Sequence, residues 1–289
     1  MQLKMQKENI KMAKLKVAEL FYSLQGEGQY LGTPSVFLRV FGCNFQCGGF
    51  SMPRGQLSEE RLAIDPASFS DYNSLPLVHT GCDSYASWDV RFKHLSPMME
   101  TAVIADKIKE MLPGNEFSPD KHMIFTGGEP LLGWQRAYIE LLEDMRVRNM
   151  NLSHITFETN GTQEFRDDLA EYLLNNMYHV NFSISSKLPS SGEKWEEAIR
   201  PDIIKKYMEV GTGYFKWVVS NQEDYEDVIR AVDTYKAGGV DIPVYLMPAG
   251  GTTKYYDNNE RWVADLAMKH GWRYTPRLQV QLWKNAWGT

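Results

Sequence analysis

Short apolar runs alternate with longer amphipathic stretches from residue 16 onward, and few folds accept that order. The runs at 16–23, 35–41, 122–126, 154–158, 179–184, 214–219, 242–247 and 277–282 predict strands, since a short apolar run between turn signals suits a buried strand. The stretches at 98–112, 134–149, 164–177, 195–210, 222–237 and 259–270 predict helices. In one of them Asp224, Val228, Ala231, Val232 and Tyr235 recur at helical spacing, and Gly238-Gly239 stops the helix. Strands alternating with helices predict an α/β fold whose parallel sheet is joined by helical crossovers. Six or more such units can curl into a partial or full barrel. Ligand-binding residues then belong at the C-terminal ends of the strands. No repeat at a fixed period is present.

Charge narrows the partners. Lys and Arg total 31 and Asp and Glu total 37, a net charge of −6. That balance disfavours wholesale binding to nucleic acid or to an anionic membrane. No apolar run approaches the ~18 residues of a membrane helix. The opening MQLKMQKENIKMAKLK is basic and lacks the apolar core of a secretory signal. Residues 1–15 are therefore expected to be a tail, 16–289 a single domain, and the location cytoplasmic.

Cys43, Cys47 and Cys82 are the only cysteines. An odd number excludes a complete disulfide framework and suits a reducing compartment. Three unrelated buried thiols are the plain alternative. Structural zinc is a poorer one, because no Cys-x2-Cys or His-x3-His pair accompanies them. Cys43 and Cys47 stand four apart in GCNFQCGG, a Gly-rich loop after the apolar strand PSVFLRVF. Such a loop exposes side chains and backbone amides. Three thiolates without a fourth would leave one iron of a [4Fe–4S] cluster open to an outside ligand. Residues 48–81 break the periodic pattern with Gly, Pro, Ser and charge, separating Cys47 from Cys82. They read as a tolerated surface insertion or as a substrate lid.

Further signals follow strands: SLQGEG at 23–28, FTGGEPLL at 125–132, FETNGT at 157–162 and SSKLPSSG at 185–192. Each joins a strand end to polar residues and glycine. Adjacent glycines let a ligand approach the backbone closely, although GGEP alone also suits an ordinary turn.

Together these residues resemble the radical S-adenosylmethionine (SAM) superfamily, whose usual cysteine motif is CxxxCxxC. The first spacing survives here and the second is stretched by the insertion. The resemblance is closer to the 7-carboxy-7-deazaguanine synthases of queuosine-type biosynthesis. LQGEG, the FLRVFGC strand and loop, CDSYASWD, TGGEP, ETNGT, SSKLPSSG and the terminal VQLWK follow in that family's order. The implied fold is a partial (β/α) barrel of the radical SAM type with a long insertion in the cluster loop.

The resemblance implies a lyase that converts 6-carboxy-5,6,7,8-tetrahydropterin to 7-carboxy-7-deazaguanine with loss of ammonia. Its cofactors are a [4Fe–4S] cluster on Cys43, Cys47 and Cys82, SAM, and Mg2+ held partly by Ser84. SAM would bind the open iron through its amino and carboxylate groups. Cleavage by one electron would give the 5′-deoxyadenosyl radical that takes the pterin's C6 hydrogen. Leu24, Gln25, Gly26, Glu27, Arg39, Thr126 and Thr289 would meet the substrate. Glu27 would accept from the pterin's N–H groups, and the Arg39 guanidinium would grip its carboxylate in a bidentate pair. For Arg39 an ordinary salt bridge is the alternative, and for Ser84 a turn cap. Gly127, Gly128, Glu129, Glu158, Asn160, Ser185, Ser186, Lys187 and Met247 would hold SAM. An electron donor, flavodoxin-like or other, and a homodimer are the partners the resemblance allows. Departures from the family pattern are Ser84 for threonine, Ser186 for a proline, and Gln281-Leu282-Trp283-Lys284 for QTHK. Another radical SAM enzyme, such as a glycyl-radical activase, is the second reading, and a cluster- or nucleotide-binding protein without activity the third.

Overall fold

The computed structural model describes residues 13–252 and 259–289. In chain order the elements are β1 (Lys14–Leu24), β2 (Pro34–Val40), β3 (Met98–Glu100), α1 (Thr101–Met111), β4 (His122–Gly127), α2 (Gln135–Val147), β5 (His154–Thr159), α3 (Asp167–Asn175) and β6 (His179–Ile184). Then follow α4 (Trp195–Ala198), α5 (Pro201–Val210), β7 (Thr212–Val219), α6 (Gln222–Ala237), β8 (Val244–Pro248), α7 (Glu260–His270), β9 (Arg273–Tyr274) and α8 (Leu278–Trp283). The sheet runs β3-β1-β2-β4-β5-β6-β7-β8-β9. From β2 to β9 every pairing is parallel, while β1 lies antiparallel to β2 and β3. The short link between β1 and β2 explains the exception, because a parallel partner needs a long crossover. The two edges, β3 and β9, do not pair, so the sheet is open.

Three predicted elements change on folding. The stretch 98–112 begins as an edge strand, with Lys16, Leu15 and Lys14 paired to Met98, Met99 and Glu100. The helix expected over 195–210 splits at Pro201, and Ile199 and Arg200 between its halves have non-helical backbone. Proline lacks an N–H and pushes the preceding residue out of the helical region. The strand expected over 277–282 is instead the helix α8.

The core lies between the sheet and its helices. Phe125, Phe157 and Phe182 stack across three neighbouring strands, 5.1 and 5.7 Å apart. Tyr138 of α2 and Tyr207 of α5 close over them.

At the N-terminal ends of the strands, His122, His154 and His179 are register partners and stack 4.9 and 4.7 Å apart. Burial, then the neighbouring His154, pushes His122 down to about 4. Burial and His179 lower His154 as well. A histidine depressed by folding stabilises above its unfolded value near 6.5 and loses that contribution as pH falls through its folded value. Stability should therefore drop by about 2–3 kcal/mol between pH 7 and pH 4 at this ladder. Urea unfolding of the parent and of His122→Gln measures it. Parallel pH profiles for the two proteins would refute the assignment.

Residues 48–81 fold into short 3-10 turns over a satellite core. Tyr72, Leu75 and Val78 of the insertion pack there against Ala18, Tyr85, Phe92 and Leu95. Its two ends meet in a neck: Ser58 N–H donates to Gly48 O at 2.7 Å and Gly81 N–H to Phe50 O at 2.8 Å. The neck returns the chain to its starting point, so Cys82 emerges beside Cys47. Gly49 docks the neck onto the 189–192 turn, its N–H reaching Ser191 O at 2.8 Å. A Cβ on Gly49 would stand 2.4 Å from Ser190 O and 2.8 Å from Gly192 N, whereas one on Gly48 would meet only the Leu57 side chain at 3.4 Å. Gly49→Ala should lose about 1–3 kcal/mol in denaturant unfolding, and Gly48→Ala should lose little. Equal midpoints for the two variants would show that the neck is loose.

Candidate active site

One cleft opens at the C-terminal ends of β4 to β8, roofed by the insertion and the last residues of the chain. Every residue that the sequence marked for the site lines it except Glu129 and Ser186.

Cys43, Cys47 and Cys82 share one wall, packed with Phe45, Phe50 and Ala198. Burial, then nearby Glu129, pushes the Cys43 thiol up to about 12, and burial raises Cys47 and Cys82 too. Among the described residues no set of three or more His, Cys, Asp or Glu side chains is placed to hold a single metal ion. The donors fit a larger group: three soft sulfurs on a dry wall, facing a polar cleft, with no fourth cysteine in the chain.

The Cys-x3-Cys loop is tied down by its backbone. Phe45 N–H points to Cys43 Sγ at 3.4 Å. Gln46 and Cys47 N–H both donate to Glu193 Oε1, at 2.8 and 2.7 Å. Cys47 adopts a left-handed backbone, φ 51°.

Across the cleft, Glu27 of LQGEG is held by three side chains. Lys216 donates to Oε2, Arg277 Nε to Oε1 at 3.0 Å, and Gln279 Nε2 to Oε1 at 2.6 Å. Burial alone would raise the Glu27 carboxyl, but Lys216 and Arg277 outweigh it and hold it well below the usual carboxylate range. Arg277 also grips Asp83 Oδ2 at 2.5 Å and Gly250 O at 2.7 Å. Gly26 is small because Gln279 lies against it: a Cβ there would be 2.0 Å from Gln279 Oε1. Glu27 is thus a preset acceptor between two cations and not a loose loop charge.

Arg39 stands on β2 in a buried ion pair, its Nε 2.7 Å from Glu19 Oε2. Burial works against its charge, and Glu19 more than restores it. Nη1 reaches Ser84 Oγ at 3.3 Å and Gly127 O at 3.4 Å. The salt bridge is therefore real but buried, and Arg39 still lines the cleft. Ser84 precedes a 3-10 turn that its side chain does not cap, and its Oγ donates to Asp83 Oδ1 at 3.3 Å. Gly288 N–H donates to the other Glu19 oxygen at 2.9 Å, and Thr289 lies on the cleft wall.

Glu129 sits behind that wall, fully buried. Its carboxylate accepts from Leu131 N–H at 3.0 Å, Thr159 Oγ1 at 2.8 Å and Asn160 N–H at 2.8 Å. It ties the GGEP loop to ETNGT. Burial pushes it up to about 7 against those bonds. Ser186 turns away to Tyr235 OH at 2.7 Å. Asn160 reaches Asn44 Oδ1 at 2.9 Å, and Gln25 donates to Glu158 at 3.0 Å. Ser185, Lys187 and Met247 remain on the wall.

Sequence reasoning missed Lys216, Arg277, Gln279, Asp83 and Glu193. The near-C-terminal glutamine that faces the cleft is Gln279, while Gln281 is exposed and bonds Glu260. A lysine inside the apolar run YFKWVV was the one readable signal, since an inward charge needs a partner.

No protein-family model matches the chain. Curated relatives do. A 7-carboxy-7-deazaguanine synthase of Halobacterium salinarum is 33% identical over 94% of this chain and 91% of its own. The chain belongs to the 7-carboxy-7-deazaguanine synthase family. A second member, from Pyrobaculum aerophilum, is 30% identical over 95% of this chain and 97% of its own. The crystal structure of QueE from Escherichia coli shares the fold, with a TM-score of 0.53 and 20% identity, covering 92% of this chain and 94% of that one. Likeness to the 7-carboxy-7-deazaguanine synthases thus runs along nearly the whole chain and not through one motif. No helix among the described residues is long and apolar enough to cross a membrane.

Proposed function

We propose that this chain converts 6-carboxy-5,6,7,8-tetrahydropterin to 7-carboxy-7-deazaguanine, releasing ammonia, as a radical SAM lyase of deazaguanine biosynthesis. The observation that carries the reading is the placement of the three cysteines on one wall of the cleft that also holds Glu27, Arg39 and Arg277. When bound, a [4Fe–4S] cluster and SAM supply the radical that takes the pterin's C6 hydrogen. This chain's residues do the rest. Phe45 and Phe50 shield the cysteine wall from water. Gly127, Gly128, Glu158, Asn160, Ser185, Lys187 and Met247 are the wall toward SAM, positioned by Glu129 and Ser186 from behind. Leu24, Gln25, Gly26, Thr126 and Thr289 shape the substrate end. Glu27, fixed by its cations, accepts from the pterin's N–H groups. Arg39, with Glu19 on one edge, offers charge to the pterin carboxylate. A one-electron donor of flavodoxin type suits the cluster.

Protein reconstituted with iron and sulfide should convert the carboxypterin in the presence of SAM and dithionite, with the product identified by mass spectrometry. Cleavage of SAM without product would favour a different radical SAM target, and neither reaction would favour an inactive binder.

Ser84 is assigned to Mg2+. It lacks a capping bond and faces the cleft between Arg39 and Asp83, and a hydroxyl beside a substrate carboxylate suits this hard cation. Ser84→Ala should lose the Mg2+ stimulation of turnover with unchanged iron content, and Ser84→Thr should keep it. A parent-like Mg2+ response in Ser84→Ala would leave the hydroxyl without that role.

A further inference from the structure

Glu193 stands outside every motif assigned above, yet it makes the closest polar contact to the Cys-x3-Cys loop. It follows the 189–192 turn, where its own N–H donates to Ser191 Oγ at 3.2 Å. Ser191 is fully buried, with its Oγ on Leu188 O at 2.7 Å and its carbonyl on Gly49 N–H at 2.8 Å. The turn is thereby fixed to the neck of the insertion, and the neck fixes Cys82. From this anchor one carboxylate oxygen takes two consecutive N–H groups, those of Gln46 and Cys47. Converging backbone N–H groups make an anion-binding concavity. Here the anion is a side chain of the protein itself.

The choice of anion matters. The potential of an iron–sulfur cluster rises with hydrogen bonds to its sulfurs and falls with nearby negative charge. Of the N–H groups at 45, 46 and 47, the first points to a cysteine sulfur and the next two are spent on Glu193. Glu193 and the oppositely charged Lys187 both act on the Cys47 sulfur, and Glu193 is the one of the two bonded to the loop itself.

We propose that Glu193 is a positioning residue with two effects: it holds the cluster loop in the shape that turns Cys43 and Cys47 toward Cys82, and it keeps the cluster's one-electron potential low. The inference rests on the cluster reading of the three cysteines. A low potential suits a cluster that must pass an electron to a sulfonium.

Two substitutions separate the effects. Glu193→Gln keeps an acceptor oxygen for both N–H groups and removes the charge. Glu193→Ala removes both. Each protein is reconstituted, assayed for iron and sulfide, and titrated in an EPR-monitored redox experiment without SAM or substrate. Glu193→Gln should bind iron as the parent does. Its ratio of reduced to oxidised cluster at a fixed ambient potential should rise about tenfold, equivalent to about 59 mV for one electron. Glu193→Ala should lose at least half of its iron while keeping the parent's far-UV circular dichroism. Glu197→Gln, an exposed carboxylate paired with Lys194 on α4, should change neither readout. A Glu193→Gln potential equal to the parent's overturns the electrostatic effect, and full iron in Glu193→Ala overturns the positioning effect. A parent that binds no iron overturns the cluster reading itself, and the inference with it.

Discussion

Cys82→Ala should leave the protein folded and nearly free of iron, against about four irons in the reconstituted parent. The chain has no fourth cysteine to take over. Cys82 stands on the wall because the neck bonds Ser58–Gly48 and Gly81–Phe50 return the insertion to Cys47, and neither bond involves the thiol. The satellite core holds itself through Tyr72, Leu75, Tyr85 and Phe92. Removing one sulfur thus takes a ligand without taking the fold. Cys43→Ala and Cys47→Ala should behave alike. Iron analysis with circular dichroism checks all three, and parent-like iron in any of them would break the three-cysteine assignment.

Glu27→Gln should cost about 3–5 kcal/mol of stability, since removing one partner leaves a buried charge uncompensated. Lys216 is 7% exposed and has its one salt bridge among the described residues with Glu27, Glu158 adding a weaker counter-charge, while Arg277 keeps Asp83. Glu27→Gln combined with Lys216→Met should recover most of the loss, because the stranded cation goes too. The same linkage sets the pH response. A carboxyl whose folded value lies below its unfolded one stabilises above the unfolded value, near 4.3, and loses that only as pH falls through the folded one. Glu27 lies well below the usual range, so its contribution should persist across neutral pH and vanish only in strong acid. Urea unfolding of the parent and the two variants tests this. A loss under about 1 kcal/mol for Glu27→Gln would show that the pair adds little.

What the sequence revealed follows from where its information is local. Residues at or just after strand ends, such as Cys43, Gly127 and Asn160, are readable because a strand's end fixes their address. Residues 277–282 were misread because Arg277, Gln279 and Gln281 alternate with apolar neighbours as in a strand. Tertiary contact decides instead: Leu278 N–H bonds Gly26 O at 2.9 Å, and the segment winds into α8 with Gln279 turned to Glu27. Lys216 was hidden in a run that reads as apolar, and its partner lies 189 residues away. Glu129 was found for its motif, but its burial depends on ETNGT closing over it. Pairings of this reach leave no periodic trace.

Trp287 packs on Tyr72 and Tyr85 and donates to Leu75 O at 2.8 Å, while Gly288 N–H donates to Glu19. These two hydrogen bonds span 212 and 269 residues of sequence. The entropy of closing so long a loop must be met before such contacts reward it. The roof over the cleft is therefore expected to close late in folding, after the sheet strands have paired, and the cleft stays open to solvent until it does.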